Sequence, residues 1–414
     1  MYLWRHRPCP TGCHFRKTGT TELRLAEGKV SNNRRAARSR GRTEAYRTDG
    51  IIPILLVKRK GLSEMRVTFV SCASEPWGAE RSMVLIAQYI LERQCEIRLL
   101  CRSTAVAELW RQNGLEEATI IEVSSRSRVG ILVEFLQRIR RVDTGHVVVV
   151  FSLDLMPLGL ILRLARHRSC FIFDLHDCPE KRLTRFFIGI LSYGYDRVIC
   201  ISRFAGELVP KRLAVYVNRP ICARPAAVEP DNMLFHVGVI GRIDPLKRIE
   251  LAIDACSKLG DGIVLHVRGA NFTSDGSYPA GLRKLGLSRL GQRFRMDGVV
   301  DNTRVMDGLH AVVVANDHEP SGRTVGEAQA AGVPVIVPDR GGAVEYVTAG
   351  MTGSVFKSGD SESLAAAIDE LRHSAYRRFE MSRAARVYVG EHRSPAVVGK
   401  AYFESIVGAW VNYR

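Results

Sequence analysis

At 414 residues the chain is long enough for two domains, and its 46% hydrophobic content is that of a globular protein with a sizeable core. Its formal charge of +17 is uneven, because residues 1–64 hold 15 Lys/Arg against 5 Asp/Glu and the remainder is only mildly basic. No apolar run reaches the length of about 18 residues that spans a bilayer, and the opening Met-Tyr-Leu-Trp-Arg-His-Arg lacks the apolar core and small-residue cleavage site of a secretory signal.

Residues 1–64 show no sustained periodicity and carry an Arg-rich run from Asn32 to Arg42, so a disordered, dispensable extension is expected there. Cys9-Pro-Thr-Gly-Cys13-His14 lacks a second ligand pair at metal-site spacing. The ten cysteines are scattered, several inside apolar strand-like runs such as Val198-Ile199-Cys200-Ile201, and read as reduced core residues. With no signal in view, a cytoplasmic location is expected. The basic charge suits an anionic small-molecule partner or peripheral attachment to an anionic membrane face. Nucleic acid is not expected, since the basic head has few aromatics and no finger, helix-turn-helix or RNA-recognition signature follows it.

From Met65 the chain alternates apolar strands with helices, the pattern of a parallel sheet covered on both faces. Strands are predicted at 66–71, 96–101, near 119–123, 146–151, 170–175 and 197–201. Helices are predicted at 80–93, 105–113, 131–141, 158–167, 183–193 and 203–208, the last capped by Ser202. This makes a first domain over 65–225, closed by a Pro-containing linker. A second domain, 226–390, starts afresh with strand 234–241 and helix 249–259. Strand 263–267, helix 279–285 and a strand near 293–296 follow. A further strand at 311–314, a helix at 324–331, a strand at 333–337 and a helix at 361–371 complete it, and 391–414 is a closing apolar helix. The fold class is therefore α/β, with two Rossmann-like domains.

The chemistry concentrates after the strand at 311–314. Pro320, Ser321 and Gly322 turn the chain into a helix, and Glu319 and Glu327 lie on either side of its start. A helix start leaves N–H groups unpaired, here those of Gly322, Arg323 and Thr324, and so offers an anion site. Two carboxylates flanking it can accept hydrogen bonds from hydroxyls attached to that anion. A ligand with phosphates in the middle and polyols at both ends fits, which describes a nucleotide-sugar. Arg242 and Lys247, in Gly241-Arg242-x4-Lys247, follow the first strand of the second domain at the sheet edge where such folds bind ligands, and two cations there can neutralise a diphosphate.

Glu319-Pro320-x-Gly322-x4-Glu327, followed by Ala331-Gly332-Val333-Pro334-Val335-Ile336, resembles the E-x7-E motif of retaining glycosyltransferases with the two-Rossmann GT-B architecture, especially glycosyltransferase family 4. Gly241-Arg242-x4-Lys247 is similar to the pair with which that family grips the diphosphate. Gly78-Ala79-Glu80-Arg81 resembles its Gly-Gly-Ala-Glu-Arg loop, which approaches donor and acceptor, with Trp77 in place of the first Gly and a narrower acceptor cleft as the consequence. His176, ending the strand 170–175, stands where many members carry a His at the reaction centre. The resemblance implies that Glu319 holds the transferred sugar, Glu327 the ribose, and Arg242 and Lys247 the leaving diphosphate. It also implies front-face transfer with retention to a saccharide or lipid-linked acceptor, with no cofactor and no metal, two domains that face each other across a cleft, and a last helix crossing back onto the first domain. Asn316-Asp317-His318 departs from the family's usual Ser at the strand end, which bears on sugar choice.

Two rival readings exist. A dinucleotide oxidoreductase would need Gly-x-Gly-x-x-Gly after a first strand, and neither 71–79 nor 238–246 supplies it. A catalytically silent nucleotide-sugar binder or assembly subunit would share the fold, but Arg242, Lys247, Glu319 and Glu327 together favour an enzyme.

Overall fold

The computed structural model describes residues 65–413, except 117, 121–124, 126, 141–145, 229, 231–232 and 272–275. The expected disordered extension, Cys9 and Cys13 lie outside the described residues. The chain forms two parallel sheets in sequence. The first runs β1 (Arg66–Ser71), α1 (Gly78–Leu91), β2 (Glu96–Cys101), α2 (Thr104–Arg111), β3 (Ala118–Ile120), α3 (Arg128–Ile139), β4 (Val147–Val150), α4 (Pro157–Leu164), β5 (Cys170–Leu175), α5 (Arg182–Leu191), β6 (Arg197–Cys200), α6 (Arg203–Gly206) and β7 (Ala214–Tyr216). Its strand order is β3-β2-β1-β4-β5-β6-β7. The second comprises β8 (Phe235–Ile240), α7 (Ile249–Ser257), β9 (Ile263–Arg268), α8 (Ser277–Leu290), β10 (Phe294–Gly298), β11 (Ala311–Val313), α9 (Arg323–Ala331), β12 (Val335–Pro338) and β13 (Ser354–Phe356), in the order β10-β9-β8-β11-β12-β13. Three helices close the chain, α10 (Ser361–His373), α11 (Ala375–His392) and α12 (Pro395–Tyr413).

In both sheets the order reverses beside the first strand, between β1 and β4 and between β8 and β11. Such a switch leaves a crevice at the strands' carboxyl ends, because the flanking connections leave to opposite faces. All-apolar strands like Val147–Val150 suit this architecture, since helices cover both faces and all four valines are buried. Serines start several helices, each hydroxyl accepting an orphan N–H: Ser103 from Val106, Ser127 from Gly130, Ser202 from Ala205 and Ser374 from Arg377. Six of the eight described cysteines are buried, and Cys222 is exposed.

The closing helix crosses back to the first sheet. Val398, Tyr402, Phe403, Ile406 and Trp410 of α12 share a core with Met83, Ile86 and Ile90 of α1, and Arg197 donates to the Ser405 carbonyl at 3.1 Å. The chain thus passes between the sheets twice, near Ile221 and near Arg393, and the crossings are tied by Ile221 N–H to the Arg393 carbonyl at 2.8 Å. Arg393 is buried, donating to the Glu345 carbonyl and lying 4.1 Å over the Tyr346 ring.

Three elements are absent from the sequence reading. β7 and β13 are three-residue edge strands, below the length at which periodicity shows. α11 buries only Met381, Ala385 and Val389 along 18 residues otherwise crowded with arginines, so no apolar stripe marks it. Among the described residues, no helix is long and apolar enough to cross a membrane.

Candidate functional site

The loops after β8 and β11 flank the switch in the second sheet and together line a pocket. It is lined on the polar side by Lys247, Asn316, Glu319, Ser321, Gly322 and Thr324. Gly241 turns the chain out of β8 at φ 141°, a region that favours glycine, and its carbonyl lies so close to Gly269 that a Cβ there would sit 1.7 Å from it. This tight exit delivers Lys247, whose ammonium reaches Glu319 Oε2 at 2.7 Å. Asn316 Nδ2 donates to the same oxygen at 3.2 Å. Behind the pair, Arg248 meets Asp317 at 2.9 Å and Asp317 meets His318 at 2.9 Å.

Gly322 is the residue before α9, and no side chain caps that helix, so its first-turn N–H groups stay available for a ligand. A Cβ on Gly322 would lie 2.6 Å from the Tyr346 ring, so close packing requires glycine there. Arg323 turns away from the pocket. Its Nε bonds Glu327 at 3.0 Å, and its Nη1 crosses the cleft to the Gly78 carbonyl at 3.0 Å and Ser82 Oγ at 2.6 Å. Glu327 also has Arg224 at 3.5 Å. Arg242 does not line the pocket: its side chain is half exposed and its Nε lies 3.5 Å from Asp244.

On the first domain, His176 follows β5 and is held from beneath. Its Nδ1 lies 3.3 Å from Asp174, whose carboxylate is gripped by both terminal nitrogens of Arg219 and accepts from the Tyr402 hydroxyl at 2.8 Å. Burial opposes the charge on Asp174, yet Arg219 and His176 hold its pKa well below the usual carboxylate range. Burial likewise opposes charge on His176, but Asp177 and the hydrogen bond to Asp174 outweigh it and raise its pKa. Glu80 is buried nearby, with its carboxyl pushed up by burial against the pull of His176. Gly78, exposed, and Ala79, half-buried, open α1 in the same turn as Glu80, so the expected loop is the helix's first turn.

Two further contacts join the domains. Ser202 Oγ donates to the Pro320 carbonyl at 2.6 Å, and Glu345 accepts the N–H groups of Arg203 and Phe204 at 2.9 and 3.0 Å. The structure therefore gathers Lys247, Glu319, Gly322 and Thr324 in one pocket. Arg323 and Glu327 lie along the helix beside it, and His176 and Glu80 belong to a separate cluster on the first domain. Sequence reasoning missed Arg219, Tyr402, Arg224 and Arg248. None belongs to a local motif, and only Arg248, next to Lys247, lay within reach of one.

Residues 225–388 match the family described as glycosyl transferases group 1. Over 143 residues the chain is 33% identical to D-inositol 3-phosphate glycosyltransferase of Mycobacterium marinum, covering 33% of this chain and 30% of that protein. Over 173 residues it is 29% identical to glycogen synthase of Mycobacterium tuberculosis, covering 40% of each. The matched stretch thus spans less than half the length of these relatives. Among solved structures, HepE of Anabaena in complex with UDP and glucose superposes with a TM-score of 0.72 at 19% identity, covering 83% of this chain and 99% of that one. Sucrose-phosphate synthase of Thermosynechococcus elongatus gives 0.72 at 15% identity, covering 84% and 100%. At such identities the likeness is one of fold. The chain has the GT-B fold, and residues 225–388, its second sheet and the helices around it, match the glycosyl transferases group 1.

Proposed function

We propose that the chain is a glycosyltransferase that moves a sugar from a nucleoside diphosphate to an acceptor hydroxyl with retention of configuration. The observation that carries this reading is the Lys247–Glu319 pair at 2.7 Å beside the uncapped start of α9, at the switch point of the second sheet. In the free protein the two charges satisfy each other. A donor would part them, with its diphosphate taking Lys247 and the helix start, and its sugar hydroxyls taking Glu319 and Asn316. Glu327, further along α9, would take the ribose once Arg323 releases it.

In the reaction the bond from the anomeric carbon to the diphosphate oxygen breaks and a bond to the acceptor oxygen forms on the same face. The acceptor proton passes to the departing diphosphate. Lys247, the N–H groups of Gly322 and Thr324, and Arg242 after a swing of its exposed side chain would meet the charge that grows there. That set of cations supplies the stabilisation without a metal ion or other cofactor. His176, whose pKa is raised above the usual histidine range, and the first turn of α1, Gly78-Ala79-Glu80, would face the sugar from the first domain. Closure about the two crossings at Ile221 and Arg393 would exclude water.

The UDP and glucose bound by the Anabaena protein support a uridine nucleotide and a hexose. The inositol phosphate and glycogen enzymes support a polyol, saccharide or lipid-linked saccharide acceptor. We place the work at the cytoplasmic face of a membrane, with peripheral attachment. Screening nucleotide-sugars by thermal shift identifies the donor, because a cognate ligand stabilises by mass action. Proton NMR of the product then reads its anomeric configuration, with EDTA present throughout. An inverted product, or activity lost to EDTA, would overturn the mechanism. Binding with no transfer to any saccharide or membrane extract would leave only the silent binder.

A further inference from the structure

Helix α5 is built inside out. Leu183, Phe186, Phe187 and Ile190 follow the i, i+3, i+4, i+7 spacing that ordinarily turns an apolar stripe toward a core. They are 67%, 63%, 48% and 44% exposed, and Tyr193 in the next turn is 51% exposed. The opposite side, through buried Ile188 and half-buried Leu191, is what attaches the helix to the first sheet. Scattered exposed leucines are normal on a protein surface, whereas a continuous stripe with three aromatic rings marks a contact surface.

We infer that this face of α5 seats the chain on an anionic lipid bilayer. The charge around the stripe selects the partner. Residues 181–195 contain Lys181, Arg182 and Arg185 and no acid. Of the carboxylates that flank this segment in the chain, Glu180 is exposed beside Lys181 and Asp196 is tied to Arg163, while the Arg212 guanidinium lies 5.1 Å over the Tyr193 ring. An apolar stripe rimmed by cations is the pattern of a helix lying in a membrane interface, with rings among the acyl chains and cations at the headgroups. A second copy of the chain fits poorly, because a two-fold contact would set these cations against their own copies.

The location also suits a lipid-linked acceptor. α5 starts six residues after His176. Cys178 between them, whose thiol is pushed up to about 12 chiefly by burial, feels both Arg185 of α5 and Glu319 of the donor-side loop. The segment between His176 and α5 therefore runs near the donor-side loop, and the stripe begins at the second residue of α5, which follows that segment. The inference rests on the membrane-side placement proposed above, and its test reads binding and not transfer, so the two can fail separately.

The test is flotation of the full chain with phosphatidylcholine vesicles, with and without phosphatidylglycerol. Binding is expected to the anionic vesicles, weakened by salt and weak to the neutral ones. Phe186→Ser with Phe187→Ser should cut the bound fraction by about tenfold or more with little change in melting temperature, since about half or more of each side chain is already exposed. A second, independent variant is Phe187→Trp, whose indole fluorescence should be quenched by brominated lipid. No binding, binding kept by the double variant, or an indole that stays unquenched on bound vesicles would overturn the inference. So would a concentration-dependent dimer that the double variant dissolves, which would make a second copy the occupant.

Discussion

Lys247–Glu319 and Asp174–Arg219 are both ion pairs beside the cleft, one on each domain, yet they sit in opposite environments. The first is about a fifth exposed on both partners, 20% and 21%, whereas the second is sealed at 2% and 1%. A part-exposed pair is worth little, in the range of about 0–1 kcal/mol, and a ligand can replace either partner at small cost. A sealed pair cannot be exchanged, because the charge left behind has no water to turn to. The donor side is thus built to be taken apart by its ligand, and the His176 side is built to stay fixed while the ligand comes and goes.

The sharpest way to break this contrast is to remove Asp174. Asp174→Ala strands a buried guanidinium and should destabilise the protein by about 3–5 kcal/mol, measured by urea unfolding. Joint replacement, Asp174→Leu with Arg219→Met, should recover much of that loss because no charge is left unpaired. A cost below about 1 kcal/mol for Asp174→Ala would mean water reaches Arg219 and the side is not sealed.

The donor side should behave in reverse. Lys247→Ala is expected to leave stability within about 1 kcal/mol of the parent. It should slow transfer by roughly 10²–10³-fold, the scale of losing one preorganised charge stabiliser. Full transfer rates would remove Lys247 from the diphosphate. Glu327→Ala comes next in size. It should weaken donor binding by about tenfold or more, read by calorimetry, as a charged hydrogen bond to ribose is lost. Unchanged affinity would leave Glu327 with only its contacts to Arg323 and Arg224.

These differences also mark what could be read from the sequence. The alternation of strands and helices and the GT-B fold were legible because strands such as Val147–Val150 are apolar throughout and several helices, such as those after Ser103, Ser127 and Ser202, open on a capping serine. The Glu319–Glu327 stretch was legible because its Pro, Gly and Glu lie within nine consecutive residues. The hub under His176 was not, because Asp174, Arg219 and Tyr402 come from a strand, the first crossing and the last helix. Their partnership is written in the packing of α12 on β5, and no local spacing encodes it. Arg242 shows the reverse limit: its motif is local and easily found, but spacing alone does not say that its side chain lies outside the pocket in the free protein.

The smallest expected effect is also the one that reports on the sealed side without destroying it. His176 is faced by Asp174, Asp177, Glu80 and Arg219, and its pKa stands above the ordinary histidine value. A raised basic group contributes stability that is fully present below about 6.5, the unfolded value, and is lost as pH rises through the folded value. His167, His266 and His310 are pushed down by burial, so their influence falls below 6.5 and has the opposite sign. Between about 6.5 and about 8.5, where the buried thiols begin to add their own decline, the fall in unfolding free energy should follow His176, and His176→Gln should flatten it there while leaving the lower limb in place. Tyr402→Phe removes one hydrogen bond from Asp174, a change of about 1 kcal/mol. It frees that carboxylate to interact more strongly with His176, so the decline should move to higher pH. An unmoved profile in Tyr402→Phe would show that Arg219 alone sets the charge beneath His176, and that the last helix closes the fold without tuning the site.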